Sequence, residues 1–203
     1  MRLYLVSDQT WLKQETLCEA IEKSIDGGVS CVQVREKQLD DENFIILARD
    51  IQKLCTTRNI PCIINDNIDV FKVIDADGIH VGQSDISAGD IRTQIGKDKI
   101  LGVSVQSVQQ ALLAQEQGAD YLGVGAMFNT SSKDDADDVS IDTLKEICSA
   151  VNIPVVAIGG ISVHNISELY NSGIDGVAVI SAILAKEDYT LASKELLQLA
   201  NLL

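Results

Sequence analysis

Residues 26–37 read Asp26-Gly27-Gly28-Val29-Ser30-Cys31-Val32-Gln33-Val34-Arg35-Glu36-Lys37. The glycines end a helix in a tight turn, and a β-branched run follows at once. Side chains alternate along a strand, so Val32 and Val34 share one face and Gln33, Arg35 and Lys37 the other. The valines suit packing on helices, and the polar triple suits a barrel axis and its mouth. The entry phrase recurs as Asp75-Ala76-Asp77-Gly78, Gly118-Ala119-Asp120-Tyr121 and Gly173-Ile174-Asp175-Gly176. The four copies precede the second, fourth, sixth and eighth expected strands. They are spaced by about 40–55 residues, two βα units each.

Outward from that phrase, the whole chain alternates short apolar runs with amphipathic stretches. The spacing predicts strands over Leu3–Ser7, Cys31–Arg35, Cys62–Asn65, Gly78–Val81, Ile100–Ser104, Tyr121–Val124, Val155–Ile158 and Gly176–Ile180. Helices are predicted over Thr16–Asp26, Asp41–Arg58, Ser107–Gln117 and Ile141–Val151, among others. Pro61 and Pro154, the only prolines, each follow Asn-Ile and open a strand, where a missing N–H costs no ladder bond. Regular alternation implies parallel βαβ units. Eight units at about 25 residues each fit an α/β fold, one compact (β/α)8 TIM barrel over residues 1–203 with no linker. A doubly wound open sheet is the other reading, but no GxGxxG follows the first strand.

The chain has 203 residues, 46% of them hydrophobic, which is enough for a substantial core. Its 16 Lys and Arg against 30 Asp and Glu give a net charge of −14, which argues against nucleic acid and anionic membrane surfaces as partners. No apolar run reaches the roughly 20 residues needed to span a bilayer. The start, Met1-Arg2-Leu3-Tyr4-Leu5-Val6, enters a strand with no signal-like segment. The five cysteines are scattered and odd in number, with no CxxC, as expected for reduced thiols in a cytoplasmic protein.

In such barrels chemistry sits at the C-terminal strand ends. Gln33, Arg35 and Lys37 end the second strand, where two cations and an amide suit an anion; a solvated strand end is the alternative. Asp66 follows the third strand and Asp85 the fourth. On neighbouring strands they could share a hard divalent cation, unless both are helix N-caps. Ser104 ends the fifth strand and is open to the same cap reading. The longest loop, after the sixth strand, carries Thr130, Ser131, Ser132 and Lys133, which suit an oxyanion; its acidic run Asp134, Asp135, Asp137 and Asp138 suits a solvated face. Gly159-Gly160 and Ser181 follow the seventh and eighth strands, where this fold binds phosphate. His80 in the fourth strand and His164 in an expected helix read as packing or surface residues.

Together these segments resemble thiamine-phosphate synthase, from Tyr4-Leu5-Val6-Ser7-Asp8 to Val177-Ala178-Val179-Ile180-Ser181. The most specific pieces are Gln33-Val34-Arg35-Glu36-Lys37, Ile64-Asn65-Asp66, Gly78-Ile79-His80-Val81-Gly82-Gln83 with Asp85, Gly102-Val103-Ser104 and Ala157-Ile158-Gly159-Gly160-Ile161. The resemblance implies that hydroxymethylpyrimidine diphosphate and hydroxyethylthiazole phosphate are joined to give thiamine phosphate and pyrophosphate. It implies that Gln33, Val34, Arg35, Glu36, Lys37, Asn65, Ser104 and Lys133 hold the pyrimidine diphosphate, with Arg35, Lys37, Ser104 and Lys133 catalytic. Asp66 and Asp85 would hold Mg2+, while Thr130, Ser131, Ser132, Gly160, Ile180 and Ser181 would hold the thiazole phosphate. The partners are then small phosphorylated molecules, with a homo-oligomer left open. The chain departs from the family pattern in the loop after the sixth strand, where Ala126 and Asn129 replace prolines and Ser131 and Ser132 replace a lysine and a threonine. The competing readings are a thiazole tautomerase, which needs neither diphosphate nor metal site, and a non-catalytic phosphate-binding barrel.

Overall fold

The computed structural model describes residues 1–12, 15–83, 87–129 and 138–203. Its eight strands are β1 (Leu3–Val6), β2 (Cys31–Val34), β3 (Cys62–Asn65), β4 (Gly78–Val81), β5 (Ile100–Val105), β6 (Tyr121–Val124), β7 (Val155–Ile158) and β8 (Gly176–Val179). Each pairs in parallel with the next, and β1 pairs with β8, so the sheet closes into a barrel. Between the strands run α1 (Leu17–Asp26), α2 (Asp41–Thr57), α3 (Ile68–Ile74), α4 (Ala88–Ile95), α5 (Val108–Glu116) and α6 (Ile141–Ala150). The last strand is followed by α7 (Ser181–Leu184) and α8 (Tyr189–Ala200).

The outward strand residues, Leu3, Leu5, Val32, Val34, Ile64, Ile79, Leu101 and Val103 among them, pack with the helices in one large buried cluster. The inward ones form a second, smaller core of Tyr4, Val6, Cys31, Ile63, Tyr121, Val156 and Ala178. Two tyrosines and a histidine fit inside because glycines face them. A Cβ at Gly102 would collide with the Tyr121 ring and His80 Nδ1, and one at Gly123 would lie 3.1 Å from His80.

Helix starts follow the sequence chemistry. Thr16 and Glu19 form a reciprocal capping box at α1, and Asp40, Asn67, Ser87, Ser107, Ser140 and Asp188 cap α2, α3, α4, α5, α6 and α8. The seventh unit differs from expectation. Its helix shrinks to one 3-10 turn over Ile166–Leu169, and His164 lies in the preceding turn. In Ser162-Val163-His164-Asn165 the polar side chains bond locally: the Ser162 amide donates to Asn165 Oδ1 at 2.8 Å, and the Asn165 amide group donates to the Gly160 carbonyl at 2.9 Å. Such bonds compete with a helix.

The recurring entry phrase is a four-fold device at the barrel's base. In each copy a residue with left-handed backbone ends the helix: Gly28 (φ 106), Asp75 (φ 54), Gly118 (φ 91) and Gly173 (φ 88). A buried apolar residue follows (Val29, Ala76, Ala119, Ile174), then a polar one (Ser30, Asp77, Asp120, Asp175), then the even strand. The polar side chain accepts a backbone N–H at the start of the preceding odd strand. Ser30 takes Leu3 at 3.4 Å, Asp77 takes Cys62 at 2.8 Å, Asp120 takes Leu101 at 2.7 Å and Asp175 takes Val155 at 2.9 Å. The first copy is therefore in register as Gly28-Val29-Ser30-Cys31, two residues later than the sequence phrase suggests.

All five cysteines are free, with Cys31, Cys55 and Cys62 buried. Burial raises the Cys148 thiol to about 11 and holds it protonated at neutral pH. No helix among the described residues is long and apolar enough to cross a membrane.

Candidate active site

The C-terminal strand ends surround a cavity of about 510 Å³, within the size range of small-molecule sites. Gln33 of β2 and Arg35 and Lys37 just beyond its end line it, with Asn65, Asp66 and Ser104. Gly159, Gly160, Ile180 and Ser181 close the opposite side. Nine of the expected site residues thus meet in one space: Gln33, Arg35, Lys37, Asn65, Asp66, Ser104, Gly160, Ile180 and Ser181. Val34 and Glu36 do not line it. Val34 is buried against the helices, as its strand parity requires. Glu36 is half-buried beside Gln9, and desolvation raises its carboxyl above the usual range. Asp85, Thr130, Ser131, Ser132 and Lys133 lie outside the described residues.

The capping alternative fails where the structure tests it. Asn67, not Asp66, caps α3 by accepting from the Val70 amide at 2.9 Å. Ser107, not Ser104, caps α5, and Ser87 caps α4. Asp66 has a left-handed backbone (φ 59), and its amide donates to the His80 carbonyl at 2.8 Å. Its exposed carboxylate lines the cavity and accepts from Asn65 Nδ2 at 2.6 Å. A hard carboxylate oxygen lining the same cavity as two cations suits a divalent metal shared with a phosphorylated ligand. Among the described residues, no cluster of three or more His, Cys, Asp or Glu side chains forms a closed metal cage. The donor set there thus amounts to a carboxylate with room for ligand oxygens.

The basic side of the cavity is braced from β1. Ser7 Oγ accepts the Arg35 amide at 2.9 Å, and the Arg35 guanidinium lies 3.6 Å from the Asp8 carboxylate. On the far side, Gly159 (φ 100) and Gly160 (φ 64) have backbones that L side chains rarely adopt. A Cβ on Gly160 would lie 2.6 Å from the Asn129 carbonyl and 2.7 Å from that of Phe128. These glycines keep backbone near the cavity without side-chain bulk, and Ser181 opens α7 beside them.

The sequence reading missed the cavity floor. His80 lies in the cavity wall, its Nε2 2.9 Å from Ser104 Oγ and its Nδ1 2.9 Å from the Tyr121 hydroxyl. The Tyr121 and Tyr4 hydroxyls are 2.9 Å apart, and Gln33 Nε2 donates to Tyr4 at 2.9 Å. Strand parity was the available signal. Ile79 and Val81 face outward, so His80 between them faces the axis, as Tyr4 does between Leu3 and Leu5.

Comparison with known proteins agrees with this geometry. The family model described as thiamine monophosphate synthase matches residues 3–183. The thiamine-phosphate synthase of Clostridium tetani is 52% identical over 96% of this chain and 93% of its own length. That of Clostridium beijerinckii is 50% identical over the same shares. The solved thiamine phosphate pyrophosphorylase from Pyrococcus furiosus is 33% identical, covers 98% of this chain and 95% of its own, and superposes with a TM-score of 0.90. With half the residues shared nearly end to end and a fold that superposes on a solved relative over 98% of the chain, this chain belongs to the thiamine monophosphate synthase family.

Proposed function

We propose that this protein joins hydroxymethylpyrimidine diphosphate to hydroxyethylthiazole phosphate, giving thiamine phosphate and pyrophosphate. The observation that carries the reading is the single cavity in which Gln33, Arg35, Lys37, Asn65, Asp66 and Ser104 face Gly160 and Ser181. Its two sides fit two phosphorylated ligands: cations and a carboxylate for the diphosphate, glycine backbone and a hydroxyl for the monophosphate.

In the reaction the bond between the pyrimidine methylene carbon and the diphosphate oxygen breaks, and the thiazole nitrogen forms a new bond to that carbon. Arg35 and Lys37, with Lys133, neutralise charge growing on the leaving pyrophosphate. Asp66, with Asp85, would hold Mg2+, which supplies further neutralisation when bound. Gln33, Asn65 and Ser104 orient the pyrimidine, whose amino group stabilises the methylene cation. Gly160, Ile180, Ser181 and the 130–132 segment orient the thiazole phosphate. No protein nucleophile is needed, so most of the contribution is positioning and electrostatics. A cytoplasmic setting accords with the unpaired cysteines.

The test mixes both substrates with Mg2+ and follows thiamine phosphate and pyrophosphate. Isomerisation of a thiazole carboxylate phosphate without metal, and no thiamine phosphate, would replace this reading with the tautomerase.

A further inference from the structure

The floor of the cavity is a chain of five side chains from five strands: Gln33, Tyr4, Tyr121, His80 and Ser104. Both ends line the cavity, while Tyr4 and Tyr121 are 1% exposed. Burial pushes both phenols well above their usual range, so each keeps its single proton.

With the Gln33 amide oriented as the structure places it, that proton count gives a direction. Gln33 Nε2 can only donate, so the Tyr4 oxygen accepts from it. Tyr4 then gives its own proton to Tyr121, since the neighbouring Cys31 thiol is a weak acceptor. Tyr121 gives its proton to His80 Nδ1, and a neutral imidazole then carries its hydrogen on Nε2, facing Ser104 Oγ. Ser104 accepts that hydrogen, and its own proton is left to point elsewhere. One end of the chain thus offers the cavity an amide oxygen acceptor at Gln33, and the other a hydroxyl donor at Ser104.

We propose that Tyr4, Tyr121 and His80 are positioning residues that lock this polarity and so select an aminopyrimidine over its oxo counterpart. The selection rests on the function proposed above; the relay itself does not. A 4-aminopyrimidine carries an amino donor next to a ring nitrogen acceptor, the complement of an acceptor and a donor. The 4-oxo analogue carries the reverse pair, a carbonyl acceptor next to a ring N–H. Set on the Gln33 oxygen and the Ser104 hydroxyl in the same orientation, it would meet acceptor with acceptor and donor with donor; that match returns when the relay runs backwards, with the Gln33 amide flipped and the His80 hydrogen on Nδ1. Mismatched polar groups in a closed site discriminate more strongly than missing apolar contacts.

The test has two readouts. Nitrogen-15 NMR of the ligand-free protein should show His80 as the neutral Nε2–H tautomer. In Tyr121→Phe, where the chain is cut, it should become a mixture of tautomers. A wild-type Nδ1–H tautomer, or a tautomer unmoved by Tyr121→Phe, overturns the relay whether or not the enzyme makes thiamine phosphate. In the assay, Tyr121→Phe should raise KM for the pyrimidine diphosphate about tenfold with a smaller change in kcat, as expected for one lost hydrogen bond. It should narrow the preference over the 4-oxo analogue by a similar factor and leave KM for the thiazole phosphate unchanged. Unchanged amino-over-oxo preference in a variant with scrambled tautomers would overturn the selective role. If the variant does not fold, the wild-type tautomer alone decides the direction. Absence of thiamine phosphate with the expected tautomer would instead refute the function and, with it, the selection.

Discussion

The Arg35 guanidinium sits 3.6 Å from the Asp8 carboxylate, both side chains about one-seventh exposed at 14% and 16%. A carboxylate beside an anion site opposes ligand charge, yet here it also holds the cation in place. The two roles predict opposite outcomes for Asp8→Ala. Positioning should win, because Asp8 fixes a side chain that otherwise loses rotamer freedom on binding. KM for the pyrimidine diphosphate should rise by about fivefold to thirtyfold, a loss of ~1–2 kcal/mol. A lower KM in steady-state kinetics would mean that repulsion dominates.

Asp66 combines a left-handed backbone with a carboxylate at the cavity rim. Asparagine tolerates that backbone, so Asp66→Asn should fold normally. The Mg2+ concentration for half-maximal turnover should rise at least tenfold, about 1.4 kcal/mol of lost metal affinity. Turnover titrated against Mg2+, with a melting curve as control, checks both halves.

Gly160→Ala places a methyl against two carbonyls and forces an alanine to φ 64. The strain should cost about 1–3 kcal/mol of stability. Because the collision is with the 128–129 backbone at the monophosphate side, KM for the thiazole phosphate should rise more than KM for the diphosphate. Equal changes in both constants would remove Gly160 from that subsite.

At the opposite end of the barrel, Asp77→Ala strips the Cys62 amide of its acceptor. The loss should be about 1–3 kcal/mol, and a melting temperature lower by roughly 2–4 °C per kcal/mol in a domain of this size. Activity of the folded fraction should not change.

Glu36 titrates above the usual carboxyl range because burial disfavours its ionised form. A raised acid contributes stability that is present below the unfolded value and lost as pH rises through the folded one. Glu36→Gln never ionises. Its melting temperature relative to wild type should therefore climb between about pH 4 and about pH 7. A flat difference across that range would show that Glu36 carries no ionisation penalty.

The barrel was legible because strand parity and the repeated entry phrase act at short range. Bounds for β3, β4, β6 and β7 agree with the sequence to the residue. The seventh helix was not, because Ser162, His164 and Asn165 satisfy their backbone locally, which is a property of conformation rather than composition. At the mouth, alternation put Gln33, Arg35 and Lys37 on one face but left a solvated strand end open, and only the folded barrel shows that all three line the cavity. Asp66 was ambiguous until its neighbour Asn67 proved to be the cap. The floor escaped because Tyr4, Tyr121 and His80 are distant in sequence and each resembles an ordinary core residue. Only barrel closure brings β1 and β6 hydroxyls within 2.9 Å across the axis.

The base clamps join strand one to two, three to four, five to six and seven to eight. No such side-chain link joins two to three, four to five or six to seven among the described clamp residues. By these clamps the chain falls into four blocks of two strands, each carrying a side-chain acceptor for an amide at the start of its own odd strand. Recombination between relatives should tolerate crossovers at α2, α4 and α6, where both parents' clamps stay intact. Crossovers inside a block would ask one parent's acceptor to fit the other's strand. The same boundaries mark where a split gene would yield fragments able to reassemble.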